Sequence, residues 1–245
     1  MTLILLHAFP LDSRIWKHQV EGLEDDARVI APDLRGFGSA TAELGGLDEI
    51  PIDLAADDVI RLLDQMRVDQ AVVGGISRGG YVALSIARRY PERLRALILM
   101  DTRATPADAK EKQSWRELVE RVQNEGIGVV PEIMLPRLFR PATPEPLVNH
   151  VSEIILSQQP AAVIAASRGM ANRPDTTPSL PQIKVPVLTI AGFEDGAFES
   201  TRSIGAAIPG AEFVGVPDAG HLSNLEQPDT VNQAIRRFLK TIREK

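Results

Sequence analysis

A serine flanked by glycines is the side chain of this sequence best suited to nucleophilic chemistry. It lies in Gly75-Ile76-Ser77-Arg78-Gly79, after a short β-branched run typical of a buried strand and before an apolar pattern with helical spacing. A Gly-x-Ser-x-Gly turn between a strand and a helix presents the serine hydroxyl for attack on a carbonyl carbon. The alternative interpretation is a glycine-rich turn whose serine only caps the helix.

A serine hydroxyl becomes a strong nucleophile when a base takes its proton and a third group orients that base. Among the histidines, His221 is the predicted base, because it follows the last predicted strand in a loop at the carboxyl end. That loop lies on the same side of a parallel sheet as Ser77. His18 falls inside a predicted helix and His150 inside a long helical stretch, where surface or packing roles are the simpler interpretation.

The carboxylate predicted to orient this histidine is Asp195, which closely follows the predicted strand 187–191. A carboxylate there would accept a hydrogen bond from the imidazole Nδ1–H and stabilise the imidazolium. Glu194 and Glu199 are near enough in the sequence to be alternatives, and Asp101, at the end of the preceding predicted strand, is another. A turn or helix-cap role is the non-catalytic alternative for Asp195.

Negative charge that develops on an attacked carbonyl oxygen requires preorganised backbone N–H donors. One donor is predicted at Arg78, directly after the serine, and the other at Phe9, in the loop 7–10 after the first predicted strand. Because Arg78 would contribute through its backbone, its side chain is expected to be solvated or salt-bridged. The loop 33–38 after the second predicted strand is expected to support the entrance without taking part in the chemistry.

Composition excludes several classes of protein. The formal net charge is −6, the pI is about 5.3 and no basic block occurs, so we expect no nucleic-acid partner. The absence of cysteine excludes disulfides and thiolate chemistry. The sequence has neither a metal-ligand pattern nor a nucleotide-binding glycine motif, so we expect no metal and no cofactor.

No apolar run approaches the roughly 20 residues that span a bilayer, and no signal sequence is recognised. The chain is therefore expected to be cytoplasmic, with a small-molecule substrate and without a membrane partner. Homo-oligomerisation is left open.

Apolar runs and helical patterns alternate along most of the chain, which predicts an α/β protein with a mainly parallel, doubly wound sheet covered on both faces. With 44% hydrophobic residues, the chain can bury one substantial core. The final predicted helix begins at Pro228 and carries an apolar stripe. The predicted strands span residues 3–6, 28–31, 71–74, 96–100, 187–191 and 212–216.

Residues 105–181 interrupt this alternation, because they contain no convincing strand. Ten of the 18 prolines lie between Pro131 and Pro186 and divide the stretch into short elements. Such a length is too great for a loop within a compact domain. Helices are predicted at 115–122, 145–156 and 161–170.

The predicted organisation is a helical lid of residues 105–181 inserted into a core of residues 1–104 and 182–245. The lid would cover the carboxyl ends of the strands, where open parallel sheets bind their ligands. It would also supply apolar residues to a substrate pocket, for which the candidates are Trp115, Met134, Leu138, Phe139 and Met170.

Five motifs together resemble those of the α/β-hydrolase superfamily, in the same order and over essentially the whole chain. They are residues 5–12 (LLHAFPLD), 32–38 (PDLRGFG), 75–80 (GISRGG), 192–195 (GFED) and 220–228 (GHLSNLEQP). The last motif and the general layout are similar to those of 3-oxoadipate enol-lactonases and related small esterases. The resemblance implies an α/β-hydrolase fold with Ser77 as nucleophile, Asp195 as acid, His221 as base, and the N–H groups of Phe9 and Arg78 as oxyanion donors.

Three features depart from the family pattern. Ala8 stands where the family usually has glycine, and its methyl group could alter the approach to the oxyanion donors. Arg78 stands where methionine, leucine or glutamine is usual, so its cation would either favour an acidic substrate or point away from it. No residues precede the first predicted strand to form the usual antiparallel pair, so we expect a sheet of about six strands, all parallel.

The residues and the resemblance together predict a cofactor-free serine hydrolase that cleaves small carboxylic esters or lactones through an acyl-enzyme intermediate. The same residues would serve a C–C bond hydrolase or a perhydrolase, and a slow, receptor-like protein that mainly binds its ligand is a further alternative. Arg103, Arg168 and Arg173 lie in or beside the predicted lid and are candidates for binding a substrate carboxylate. An exposed arginine without a ligand is the commoner case.

Overall fold

Six parallel strands form one sheet in the computed structural model, which describes residues 1–244. The sheet order is β2-β1-β3-β4-β5-β6, and every neighbouring pair is parallel. The predicted sheet of six parallel strands is therefore confirmed. The strands are β1 (Thr2–Leu6), β2 (Arg28–Ile30), β3 (Ala71–Ile76), β4 (Leu94–Met100), β5 (Val187–Gly192) and β6 (Glu212–Val216).

The central strands are apolar because helices cover both faces of the sheet. β3 and β5 are buried at every residue, and β4 is buried at every residue except Arg95. Continuous burial explains why these segments form unbroken apolar runs in the sequence, where a half-exposed strand would alternate.

Helices connect and flank the strands. They are α1 (Lys17–Gly22), α2 (Ile52–Gln65), α3 (Arg78–Arg89), α4 (Ala109–Glu125), α5 (Val129–Leu138), α6 (Glu145–Leu156), α7 (Pro160–Ala171), α8 (Phe198–Ala207), α9 (Ser223–Glu226) and α10 (Pro228–Arg243). The predicted stripe on α10 is confirmed, because Val231, Ile235, Phe238 and Ile242 are buried. α3 starts directly after β3 and packs against β1, β3 and β4. That packing fixes the turn between β3 and α3.

The helices α4 to α7 lie between β4 and β5 in the chain, in the segment predicted to be an insertion. The predicted helix 145–156 coincides with α6, and the other two predicted helices fall within the longer α4 and α7. The sequence does not predict α5, because Pro131 and Pro136 lie within it. α4 packs against α7, and α5 packs against α6. The role of residues 105–181 as a lid stays a prediction.

The described residues also bear on membrane crossing. Among them, no helix combines the length and the apolar character needed to cross a bilayer.

Candidate active site

The turn between β3 and α3 holds Ser77 in a strained conformation, with φ of 54° and ψ of −117°. The Ser77 backbone N–H donates to the Met100 carbonyl on β4 at 2.9 Å. The flanking glycines are required by close backbone packing. A Cβ atom on Gly75 would overlap the Gly79 carbonyl, and a Cβ atom on Gly79 would overlap the Leu6 carbonyl. The glycine pattern of the sequence therefore has a steric cause.

Ser77, His221 and Asp195 form one chain of hydrogen bonds. The Ser77 Oγ lies 2.7 Å from His221 Nε2, and His221 Nδ1 lies 2.9 Å from Asp195 Oδ1. When the carboxylate accepts from Nδ1–H, Nε2 is left to accept the serine proton. The three side chains follow the carboxyl ends of β3, β5 and β6. The parallel sheet thus brings His221 to Ser77, which lies 144 positions earlier in the chain.

This hydrogen-bonded chain shifts the pKa values of the carboxyl and the imidazole in opposite directions. Burial raises the pKa of Asp195, but the charge and the hydrogen bond of His221 outweigh burial and hold that pKa below its ordinary value. Burial lowers the pKa of His221, but the charge and the hydrogen bond of Asp195 outweigh it, so that pKa lies above its ordinary value. Asp195 is therefore ionised near neutral pH and favours the tautomer with Nε2 unprotonated.

Several residues named from the sequence as alternatives make other contacts, although Glu194 lines the same cavity as Ser77. Glu194 lies 3.5 Å from Arg140, and Glu199 pairs with an arginine of its own helix at 2.6 Å. His18 and His150 are exposed to solvent.

Asp101, the remaining alternative acid, is hydrogen-bonded to both the loop that carries Asp195 and the loop that carries His221. Its Oδ1 accepts from the Gly192 N–H at 2.8 Å, and its Oδ2 accepts from the Ser223 hydroxyl at 2.5 Å. Gly192 precedes Asp195 in one loop, and Ser223 follows His221 in the other. Burial and the nearby charge of Asp195 raise the pKa of Asp101 well above its ordinary value. The only sequence signal for this role is the position of Asp101 at the end of β4.

Two further hydrogen bonds hold the loop of the imidazole. The Gly220 N–H donates to Glu226 Oε2 at 2.7 Å, and the Leu222 N–H donates to the Leu138 carbonyl, at the end of α5, at 3.1 Å. Glu226 belongs to the motif 220–228, and this membership is the only indication in the sequence that Glu226 helps to hold the loop. The contact with α5 has no such signal.

The two N–H groups predicted to bind an oxyanion have no backbone acceptor in the described structure. Arg78 is the first residue of α3, where an N–H has no acceptor within its own helix. Among the hydrogen bonds of residues 1–244, none is donated by the Phe9 N–H. Phe9 also lines the same cavity as Ser77. Ala8, which replaces the usual glycine, is fully buried.

The side chain of Arg78 corrects one expectation, since within the described residues it is neither solvated nor salt-bridged. It is fully buried, and its guanidinium carbon lies 5.1 Å from the centroid of the Phe37 ring. Burial lowers the pKa of Arg78 to about 10 and that of the buried His7 to about 4. The reason is local, because the first turn of α3 packs over the loops that carry His7 and Phe37. The cation thus points away from the cavity.

A cavity of about 400 Å³ is lined by all three hydrogen-bonded side chains. Its wall also contains Arg103, which was named from the sequence, and Tyr81 and Arg137, which were not. Among the described residues, no cluster of histidine, aspartate or glutamate side chains is suited to a metal ion, in this cavity or elsewhere. All five candidate pocket residues lie in the wall: Trp115, Met134, Leu138, Phe139 and Met170. Their contact with a substrate stays a prediction.

The other arginines named from the sequence bind carboxylates of the protein. Arg173 donates to both carboxylate oxygens of Glu111, at 2.6 and 2.8 Å, and its side chain is 2% exposed. Arg168 lies 3.8 Å from Asp48 at the surface. Neither arginine lines the cavity that contains Ser77.

Comparisons with known proteins agree on one family. The chain matches the alpha/beta hydrolase family over residues 3–234. Among curated relatives, 3-oxoadipate enol-lactonase 2 of Acinetobacter baylyi is 29% identical over 247 residues, which cover 97% of this chain and 88% of the relative.

Solved structures give the same result at the level of the fold. A thermophilic esterase from Thermogutta terrifontis, solved with malate bound, is 41% identical with a TM-score of 0.93, over 99% of this chain and 90% of the esterase. The enol-lactonase from Burkholderia xenovorans LB400 is 26% identical with a TM-score of 0.90, over 98% of this chain and 91% of the lactonase. Because the family match spans the whole sheet and the loops at its carboxyl edge, the chain belongs to the α/β-hydrolase family.

Proposed function

We propose that the protein is a serine hydrolase that cleaves small carboxylic esters or lactones through an acyl-enzyme intermediate. The observation that carries this proposal is the hydrogen-bonded chain of Ser77, His221 and Asp195 in the wall of a cavity. The names of similar proteins, which include esterases and enol-lactonases, support the same class of reaction.

In the first half of the reaction, His221 Nε2 takes the hydroxyl proton of Ser77 while Oγ forms a bond to the substrate carbonyl carbon. The electron pair of the carbonyl bond moves to its oxygen, which the N–H groups of Phe9 and Arg78 stabilise. The bond to the alcohol oxygen then breaks, and His221 gives its proton to that oxygen. The result is an ester of Ser77. With a lactone, the released hydroxyl stays attached to the acyl chain.

In the second half, a water molecule gives a proton to His221 Nε2 while its oxygen attacks the acyl carbon. The bond to Ser77 Oγ breaks, the serine regains its proton from the imidazolium, and the acid leaves. Asp195 stays ionised throughout and stabilises the imidazolium in both halves.

The dimensions of the cavity support a small substrate. Its volume of about 400 Å³ lies toward the lower end of the range typical of small-molecule sites. Aromatic and methionine side chains in its wall are suited to an acyl chain or a lactone ring.

Labelling with a fluorophosphonate tests the nucleophile directly. The wild type and the control Ser203→Ala are expected to be labelled and to hydrolyse p-nitrophenyl acetate. The Ser203 hydroxyl is a suitable control because it donates only to the Glu199 carbonyl, on the exposed side of α8. Ser77→Ala is expected to lose both labelling and hydrolysis.

Each alternative has its own outcome. Folded wild-type protein that neither reacts with the fluorophosphonate nor turns over the ester contradicts the proposal and favours a ligand-binding protein. Turnover confined to C–C bond cleavage or peracid formation assigns the same residues to those reactions.

A further inference from the structure

The guanidinium of Arg78 is a buried charge without a partner among residues 1–244. The side chain is fully buried, and none of its three nitrogens has a hydrogen-bond acceptor in this part of the chain. Burial lowers the pKa of Arg78 only to about 10, so the group stays charged at neutral pH. A buried charge without a partner is strongly destabilising. The proposed reaction uses only the backbone N–H of this residue, so the side chain needs an explanation of its own.

This guanidinium lies next to both backbone segments that carry the proposed oxyanion donors. Arg78 supplies one donor itself, as the first residue of α3. Its guanidinium carbon lies 5.1 Å from the centroid of the Phe37 ring, and that ring packs edge-on against the ring of Phe9, with the centroids 6.1 Å apart. Arg78 does not line the cavity that contains Ser77. Its charge therefore lies behind the two donors when the site is viewed from the cavity.

The charge of Arg78 acts on His7, which lies in the same loop as the second proposed donor. The imidazole of His7 is fully buried, and its Nε2 accepts from the Leu34 N–H at 2.9 Å, so it is held neutral. Burial lowers the pKa of His7 to about 4, and the charge of Arg78 contributes in the same direction. Asp12 and Asp33 oppose this lowering, but neither is a hydrogen-bond partner of Arg78. The positive potential therefore reaches this loop without a bound counterion from the protein.

We propose that the buried charge of the Arg78 side chain stabilises the oxyanion formed when Ser77 attacks, through its electric field and without contact with the substrate. This inference rests on the proposed hydrolase function and gives the side chain a role separate from that of its backbone N–H. An extended arginine side chain spans about 6 Å and a donor lies about 3 Å from the oxyanion, so the two charges are within about 10 Å of each other. Across a buried path, attraction at this distance corresponds to about tenfold in rate.

The proposal predicts a loss in kcat without a loss in substrate binding. A bound ester has a neutral carbonyl, and an interaction that grows only as negative charge develops raises kcat. Arg78→Met should therefore lower kcat for a neutral ester about tenfold and leave KM nearly unchanged. Because methionine removes an unpaired buried charge, the variant should be no less stable than the wild type. Its loss of activity is then separate from any loss of folded protein.

Two ketone inhibitors distinguish charge stabilisation from binding. A trifluoromethyl ketone accepts Ser77 Oγ at its carbonyl carbon, the serine proton passes to His221, and the carbonyl oxygen becomes an oxyanion. The matching methyl ketone binds with its carbonyl intact and neutral. Arg78→Met should raise the inhibition constant of the trifluoromethyl ketone about tenfold and leave that of the methyl ketone nearly unchanged.

Two further variants and a salt series test whether charge is the cause. Arg78→Lys keeps a cation at the same position and should recover part of the lost kcat and part of the trifluoromethyl ketone affinity. Arg95→Met removes the same charge from an exposed position on β4 and should change neither quantity. Raising the ionic strength should leave the difference between the wild type and Arg78→Met unaltered, because salt screens a buried charge only weakly.

The outcomes separate this inference from the proposed function. Equal kcat values and equal inhibition constants for the wild type and Arg78→Met overturn the inference. Equal weakening of both ketones also overturns it, because the variant would then have changed the shape of the site. A difference that disappears as sodium chloride is added overturns it too, because solvent ions would then reach the charge. In each case, ester hydrolysis by the wild type still supports the hydrolase. If no ester is turned over and the fluorophosphonate does not react, the hydrolase proposal fails, and the inference fails with it.

Discussion

The buried carboxyl of Asp101 offers a sharp test of how the site is held together. Its oxygens accept from the Gly192 N–H at 2.8 Å and from the Ser223 hydroxyl at 2.5 Å, and the side chain is 0% exposed. Asp101→Ala would leave both donors buried without this acceptor. Asp101→Asn would keep an oxygen for Gly192 and offer an N–H to the hydroxyl of Ser223.

The expected loss follows from these two hydrogen bonds. A buried polar group left unsatisfied costs about 1–3 kcal/mol, so two such groups cost at least about 2 kcal/mol. Asp101 also has a φ of 45°, a conformation that aspartate and asparagine tolerate better than alanine. Removing the carboxyl relieves its burial beside Asp195, which offsets part of this loss. We therefore expect Asp101→Ala to lower the free energy of unfolding by about 2–4 kcal/mol, and Asp101→Asn by about 1 kcal/mol or less.

Denaturant unfolding and steady-state kinetics measure the two consequences. Because Asp101 is hydrogen-bonded to both the imidazole and the carboxylate loops, Asp101→Ala should displace these loops and lower kcat about tenfold or more. Asp101→Asn should restore most of both quantities. An alanine variant as stable and as active as the wild type would refute this reasoning. An asparagine variant as impaired as the alanine variant would show that the charge of Asp101, and not its acceptor geometry, is what matters.

Two further predictions concern charge. With a neutral ester, kcat/KM should rise with pH through a midpoint above about pH 6.5, because the proposed mechanism uses neutral His221 as the proton acceptor and Asp195 raises the pKa of His221. Asp195→Asn removes the negative charge that raises the pKa of His221, so the midpoint should move to lower pH, and the kcat/KM reached at high pH should fall by about 10³-fold or more. A midpoint that does not move would assign the titration to another group. Arg78→Met should raise the free energy of unfolding by about 1–4 kcal/mol, and the melting temperature with it. The reason is that methionine fills the buried position on Phe37 without a desolvated charge. Arg78→Lys keeps the charge and should give no such gain, and a lower melting temperature for Arg78→Met would mean that stacking on Phe37 outweighs desolvation.

The sequence predicts the strands well because burial on both sheet faces leaves a plain apolar signal. β3 and β5 are buried throughout, and the predicted runs fall within them. The sequence does not predict α5 in the same way. Pro131 lies in its first turn, where a missing N–H breaks no intrahelical hydrogen bond, and Pro136 is accommodated near the end of the helix. Tertiary packing of α5 against α6 outweighs the low helix propensity of these prolines, which by itself predicts a break in the helix.

The orientation of Arg78 is a second case in which the sequence is insufficient. The residue type indicates a solvated or paired cation, because buried arginines are rare without a partner. The side chain is nevertheless fully buried over the ring of Phe37. The position directly after the serine places it in the first turn of a helix packed against two loops, and only the three-dimensional arrangement of those loops closes the path to solvent.

Short motifs in the sequence predict where the hydrogen-bonded side chains lie, but they do not predict the charge of the cavity around them. Ser77, Asp195 and His221 each follow the end of a strand, so the sheet brings them together and short motifs suffice to locate them. The charge of the cavity depends instead on which arginine reaches which carboxylate across the fold. Arg173, which does not line the cavity, is paired with Glu111 over 62 positions, and this contact offsets the charge of a carboxylate in the cavity wall. Loss of a single ion pair, such as that of Arg173 with Glu111, would therefore change the charge of the cavity wall while every motif around the serine stays the same.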